Sequence, residues 1–589
     1  MDMTDTPHLT TPSTAGPART DAAWLEAHWM PYTGNRQFKA KPRLMASAKG
    51  AYFTDVDGKQ IFDGLSGLWC TGLGHGREEI TRAVAQQMGT LDYSPAFQFG
   101  HSLSFELANQ VVERMPAGLS HVFFTGSGSE SADTSLKMAR AYWRTKGMGQ
   151  KTRLIGRVKG YHGVNFGGIS VGGIVGNRKL FGQGVEADHL PHTQPPAGSF
   201  FKGMPPAEAN SAGWQGAALA DDLLNIINLH DASNIAAVIV EPFSGSAGVV
   251  IPPVGYLQRL REICTAYNIL LIFDEVISGF GRSGAWTGAE AFGVTPDILN
   301  FAKQVTNGTQ PLGGVVVKKE IYDTFMAAGG PEYLLEFPHG YTYGAHPVAC
   351  AAGVATMKLL AQEDAPQRVR ELAPHFESAV HGLKGAKHVA DIRNFGLAAG
   401  FSIAPHPGEP LKRPFDIAMT MLDKGFYVRY GGDTIQLAPP FISTPAEIDR
   451  LVSALRWVTP CKPRPEGCSG IDRAAPLTPK KPFAACTNPN SAPAPFCLSS
   501  WACWAPCSST SAMQPTCAPP PERGISGPNR KRCESHTCTN PDSLKSPSRP
   551  PARRTRWARW SPCKTVNWWP TRCRFFWMPR PPLTTPWAF

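Results

Sequence analysis

The stretch LLIFDEVISGFGRSG, residues 270–284, followed by NFAKQVTNG, residues 300–308, decides how this chain is read. Leu270, Leu271, Ile272 and Phe273 form an apolar run without a polar interruption, as expected of a fully buried parallel strand. Asp274 closes that run, and Lys303 closes the next one. Open α/β sheets build their sites at the carboxyl ends of such strands. Each residue alone also suits a capped strand end or a surface lysine, so the rest of the chain has to discriminate.

Three further segments do so. HVFFTGSGSESADTSLKMARAYW, residues 121–143, is a β-branched and aromatic strand, a Gly/Ser loop, then a helix with Leu136, Ala139, Tyr142 and Trp143 at helical spacing. A glycine-rich turn that opens a helix offers free N–H groups and the positive dipole end to an anion. Gly128 and Ser129, with Ser127 beside them, are the candidate phosphate holders. RVKGYHGVNFGG, residues 157–168, offers Tyr161 and His162 as groups that could stack on a ring, His162 having a hydrogen-bonded structural role as its alternative. FPHGYTYGAHPVACAAG, residues 337–353, supplies the hydroxyl of Thr342 ahead of a small-residue helix. A lysine, a carboxylate and a phosphate loop together are what a pyridoxal phosphate enzyme requires. The lysine forms a Schiff base with the aldehyde, and the carboxylate keeps the pyridine nitrogen protonated.

With these motifs the chain resembles the class III, or ω-amino acid, pyridoxal phosphate aminotransferases, from about Trp24 to about Val458. HWMPYTGNRQFK, GAYFTDVDGKQIFDGLSGLWCTGLGHG, FTGSGSES, KGYHG, VEPFSGSAGV, FDEVISGFGRSG, AKQVTNG, TYGAHP and YVRYGGDTIQLAPPF fall in the family's order. Within the family it looks most like members that pass nitrogen from an ω-amino acid such as β-alanine to pyruvate. The resemblance implies an α/β fold of type I, a large mostly parallel-sheet domain with a smaller α+β domain. It implies Lys303 as the Schiff-base lysine and proton shuttle, Asp274 as partner of the pyridine nitrogen, and Val276 under the ring opposite Tyr161. Gly128 and Ser129 are then joined on the phosphate by Thr342 of a neighbouring subunit, which makes the protein a homodimer at least, with a homotetramer left open. Trp69 lines the substrate pocket with Trp29 and Tyr32, Arg429 receives the substrate carboxylate, and Glu241 lies near the site. Arg429 has an alternative partner on the protein in Asp433. Apolar walls also admit amines without a carboxylate, so amine–pyruvate transfer stands beside the β-alanine reaction. Decarboxylation or intramolecular amino transfer on the same fold are more remote readings. A nicotinamide fingerprint is not met, since GSGSES lacks its third glycine and downstream acid.

Composition divides the chain near residue 460. From Cys461 to Phe589 there are 19 Lys and Arg against 5 Asp and Glu, leaving 39 against 41 for the remainder. The excess positive charge therefore belongs to the tail and not to the catalytic body. The tail also holds 11 of 14 cysteines, 8 of 15 tryptophans and 24 of 54 prolines, with no helical or alternating period. Cys503 and Cys507 invite a zinc reading, but no second pair follows at ligand-like spacing, so no metal is expected. Its Arg/Trp mixture could stack on single-stranded nucleic acid, yet tryptophan and cysteine also depart from ordinary disordered tails. The expectation is an unstructured or out-of-frame extension, with no nucleic-acid partner.

The body itself is expected to run as a disordered leader over 1–20, an N-terminal segment over 21–74 belonging to the small domain, a large cofactor-binding domain over 75–345 and a C-terminal small domain over 346–460. This is more than one core can hold. HTQPPAGSFFKGMPPAEANSAGWQG, around 192–216, reads as a Pro/Gly-rich loop. FISTPAEIDRLVSALRWV, 441–458, reads as a last helix with Thr444 as N-cap, Pro445 at its first position and Glu447 completing a capping box. The leader lacks a signal-peptide layout, and no segment has the apolar length of a membrane span. Cys70, Cys264 and Cys350, far apart in the body, suit a reducing cytoplasm.

Overall fold

A computed structural model describes residues 21–203 and 216–459. The leader, part of the 192–216 loop and the tail after residue 460 lie outside those residues. The large domain is built on seven strands: β4 (Leu119–Thr125), β5 (Arg153–Arg157), β6 (Ala187–Leu190), β7 (Ile235–Val240), β8 (Leu270–Asp274), β9 (Ile298–Ala302) and β10 (Gly313–Lys318). Their order across the sheet is β4-β10-β9-β8-β7-β5-β6. Strands β7, β8 and β9 are buried at every position, as befits mostly apolar strands covered on both faces. Strands β5 to β9 pair in parallel, whereas β10 runs antiparallel to both neighbours. Only residues 303–312 separate β9 from β10, too few for a crossover, so the chain must turn straight back. That turn is where Lys303 stands.

The chain ahead of this domain and the chain behind it pair with each other. β1 (Met45–Lys49), β2 (Tyr52–Asp55) and β3 (Gln60–Asp63) form an antiparallel ribbon, and β13 (Phe426–Tyr427) joins β3 in parallel, with Phe426 opposite Phe62. After Val428 the same backbone enters a second sheet of order β11 (Val389–Phe395), β12 (Ala398–Ile403), β15 (Thr434–Leu437), β14 (Arg429–Gly431). Arg429 thus occupies the corner where one continuous segment changes sheets.

Three helices correspond to stretches read from the sequence. Helix α1 (Gly128–Thr145) follows β4 and buries Leu136, Ala139, Tyr142 and Trp143, the stripe expected from the sequence. Helix α2 (Pro347–Gln362) is apolar nearly all round and correspondingly buried. Helix α3 (Pro445–Val458) begins with the expected capping box between Thr444 and Glu447 and buries Ile448, Leu451 and Leu455.

Candidate active site

The carboxyl ends of β4, β8 and β9 bring Ser127, Asp274 and Lys303 to one edge of the sheet. Lys303 opens a 3₁₀ turn (Lys303–Thr306) with φ +54, a left-handed conformation that an L residue adopts only when its surroundings hold it there. Its side chain keeps some accessible surface while protein closes around it. Burial pulls its ammonium below the usual lysine range and Arg429 adds to that, while Cys70, Asp274 and Glu241 oppose it. A lysine so placed gives up its proton more readily than one in water.

Asp274 is buried. Its Oδ1 accepts from Val276 N at 3.2 Å and its Oδ2 from His162 Nδ1 at 2.9 Å. An ionised carboxylate only accepts, so His162 carries its proton on Nδ1. The His162 side chain has no accessible surface, which leaves no face on which a ring could lie. Of its two sequence readings, the hydrogen-bonded one is seen here, in the contact to Asp274. Tyr161, by contrast, keeps exposed surface, and burial together with Tyr32 raises its phenol above the ordinary range. The backbone N–H of Tyr161 donates to Glu241 Oε1 at 3.0 Å, and Gly245 N donates to Oε2 at 3.1 Å. Burial raises Glu241 as well. Glu275, next to Asp274, is pushed up to about 7 by burial, against N–H donors from Gly288 and Ala289.

At the start of α1, Ser127 Oγ caps Glu130 N at 3.2 Å, and Ser131 N donates to Ser127 O at 2.9 Å. The amides of Gly128 and Ser129 are then the first-turn donors left for an anion. A Cβ on Gly128 would come within 2.9 Å of Val276 Cγ1, so only glycine lets this turn close over Val276. Ser129 Oγ accepts from Val164 N at 3.1 Å, which ties the turn to the loop carrying Tyr161.

The expected substrate contacts divide into those near Lys303 and those facing outward. Arg429 acts electrostatically on Lys303, Tyr161 and Tyr427, and among the described residues it has no carboxylate partner. Asp433, the alternative partner, instead accepts from Thr434 Oγ1 at 3.0 Å and acts on Lys159 and Arg393. Trp69 is buried with φ +67. Tyr32 is mostly exposed, with Asn177 Nδ2 donating to its hydroxyl at 3.2 Å, and Trp29 is 87% exposed. Thr342 is exposed and its carbonyl accepts from Tyr93 at 3.1 Å. Cys70, named in the sequence only as a body cysteine, acts electrostatically on Lys303. Gln304 and Asn307, in the turn that Lys303 opens, lie within AKQVTNG, but uncharged amides give no pattern that marks them.

A half-buried lysine, a buried carboxylate held by an N–H donor, and a helix start with free amides fit a pyridoxal phosphate. Val276 and Tyr161 are available for the two faces of its ring. Among the described residues no group of three or more His, Cys, Asp or Glu could hold a metal ion, and no helix is long and apolar enough to cross a membrane.

Residues 33–458 match the family model described as aminotransferase class-III. The chain is 60% identical over 431 residues to a β-alanine–pyruvate aminotransferase of Pseudomonas aeruginosa, covering 73% of this chain and 95% of that protein. It is 57% identical over 445 residues to an ω-amino acid–pyruvate aminotransferase of Pseudomonas putida, covering 75% and 98%. Among solved structures, a thermostable (S)-enantioselective ω-transaminase from Thermomicrobium roseum superposes with a TM-score of 0.69 at 31% identity, covering 74% of this chain and 97% of that one. An ω-transaminase of Pseudomonas jessenii in complex with PMP superposes with a TM-score of 0.69 at 28% identity, covering 76% and 97%.

Proposed function

The chain belongs to the class-III aminotransferases, which work with pyridoxal phosphate, and from that premise we propose that it passes the amino group of an ω-amino acid, β-alanine foremost, to pyruvate. The observation that carries this reading is Arg429, a guanidinium near Lys303 with no carboxylate partner among the described residues. The names of the two Pseudomonas relatives support the same substrates.

Bound here, pyridoxal phosphate supplies an aldehyde for the lysine and a ring that accepts electrons from the carbon bearing the amine. The protein does the rest. Gly128 and Ser129, with Ser127 behind them, would hold the phosphate, Asp274, which His162 orients, would keep the ring nitrogen protonated, and Val276 and Tyr161 would pack against the ring. Lys303 Nζ, its basicity lowered by burial, would take the proton from the carbon that bears the donor's amine and hold it for return. Arg429 grips the carboxylate of β-alanine in one half-reaction and that of pyruvate in the other, in a planar two-point contact. Trp69 walls the pocket. The products are malonate semialdehyde and L-alanine, made in ping-pong order.

Exposed Thr342 supports a homodimer in which it reaches the partner's phosphate. Unpaired Cys70, Cys264 and Cys350 support a reducing compartment, the cytoplasm. Amines without a carboxylate are the second reading, supported by the aromatic side chains of Trp29 and Tyr32 and by the likeness to ω-transaminase structures.

The test is the visible spectrum of the cofactor-loaded protein. β-Alanine should abolish the band of the lysine-bound cofactor, and pyruvate should restore it. A band that ignores β-alanine but responds to an arylalkyl amine would favour the second reading. No band at all, in full-length protein and in protein truncated near residue 460, would overturn the assignment of Lys303.

A further inference from the structure

The turn that carries Lys303 does not stand on its own backbone. Two amide side chains leave it and grasp residues 72–74, the end of the loop that bears Trp69. Gln304 Oε1 accepts from Gly72 N at 2.8 Å. Asn307 Oδ1 accepts from Leu73 N at 3.0 Å, and its Nδ2 donates to Gly74 O at 2.8 Å. Both amides are buried. There is no slack at the contact, because a Cβ on Gly72 would lie 2.5 Å from both Gln304 Oε1 and Phe441 Cε2.

The same loop is gripped at its other end. Asp63 accepts from Leu65 N at 3.1 Å and pairs with His75 Nε2 at 2.8 Å, and Arg282 donates to Ser66 Oγ at 2.9 Å. Between these grips Ser66, Gly67 and Trp69 all have positive φ, at +49, +63 and +67. Such a conformation persists in non-glycine residues only where the surroundings over-determine it. Left to itself, this loop would relax and carry Trp69 with it.

We infer that Gln304 and Asn307 are positioning residues that fix the Trp69 wall relative to Lys303 Nζ and so set which amines reach the lysine. This rests on the reading of Lys303 as the lysine of amino transfer. The two amides bond to backbone groups of residues 72–74. They act by pairing three buried backbone groups that water cannot reach, so deleting an amide leaves those groups without partners and lets the loop move.

Three variants test it. Gln304→Met keeps the length and removes the acceptor, whereas Gln304→Glu keeps an acceptor for Gly72 N. Asn307→Gly removes the contacts to Leu73 and Gly74 and still suits the left-handed φ of +49 at that position. Each is loaded with pyridoxal phosphate and measured for its visible band, its melting temperature, and kcat and KM with β-alanine and with 1-phenylethylamine. Gln304→Met and Asn307→Gly should keep the band and nearly all of kcat. They should raise KM for β-alanine roughly tenfold and narrow the preference between the two donors by a similar factor. Gln304→Glu should recover most of that loss. The inference is overturned if KM and the donor preference stay at the parent values. It is overturned equally if kcat falls alike for both donors with the preference intact, or if neither deletion variant folds, since the amides would then serve the fold alone. If the parent protein itself fails to turn over β-alanine, the proposed substrate falls, and the positioning role is read from KM for 1-phenylethylamine.

Discussion

His162 donates from Nδ1 to Asp274 Oδ2 at 2.9 Å, and both side chains are buried. One nitrogen of the imidazole is thereby committed to the carboxylate expected to face the cofactor ring. The other, Nε2, is buried without a hydrogen-bond partner among the described residues. The histidine therefore serves mainly to orient the acid.

Replacing His162 should weaken cofactor binding before it affects anything else. Phenylalanine fills the space and removes the donor, and a hydrogen bond to a charged group contributes about 1.5–3 kcal/mol. The dissociation constant for pyridoxal phosphate, measured by titrating the visible band, should rise roughly 10–150-fold. Asn, whose amide nitrogen stands close to where Nδ1 was, should lose much less. Equal affinity in the parent and His162→Phe would show that Asp274 needs no such support.

Arg429 should discriminate donors by their carboxylate. Arg429→Ala removes a charge-assisted two-point contact, so kcat/KM for β-alanine should fall by at least ~2 kcal/mol, roughly 30-fold. An arylalkyl amine should be nearly unaffected in its own half-reaction, read by single-turnover absorbance without pyruvate. A parallel fall for both donors would assign Arg429 to the fold.

Lys303 should cost the apoprotein stability in a pH-dependent way. Burial lowers its pKa in the folded state below the unfolded value, so between the two the unfolded chain binds more protons. Stability therefore rises with pH through that window as the unfolded lysine also loses its charge. Lys303→Met should stabilise the apoprotein at neutral pH, and the advantage should shrink as pH climbs toward the ordinary lysine range. Thermal melts of both proteins from pH 7 to pH 10.5 would show it, and a constant difference would refute it. All turnover should be absent from this variant.

The capping box of α3 offers a stability prediction remote from the chemistry. Thr444 Oγ1 accepts from Glu447 N at 3.3 Å, and Glu447 Oε2 accepts from Thr444 N at 2.8 Å. Thr444→Ala should destabilise the folded body by about 1 kcal/mol with kcat/KM unchanged. Denaturant unfolding checks it.

What the chain declares by itself is local and periodic. The apolar run at 270–273 specifies a buried strand because no polar residue offers it a solvent face. The loop–helix at 126–145 is legible from its glycine and its 3.6-residue stripe, and the capping box from four residues of spelling. Asp274 and Lys303 are conspicuous because charge at the end of an apolar strand is costly without a purpose. Sequence alone could not decide between stacking and hydrogen bonding for His162, because the choice depends on where Asp274 stands, 112 residues away. The same holds for Arg429, whose freedom from Asp433 follows from the corner at Val428 where the backbone changes sheets. Gln304 and Asn307 gave no signal at all, since an uncharged amide acquires meaning only from the backbone groups it meets. Those groups, at residues 72–74, lie more than two hundred residues earlier in the chain, and only tertiary packing brings them within hydrogen-bond reach.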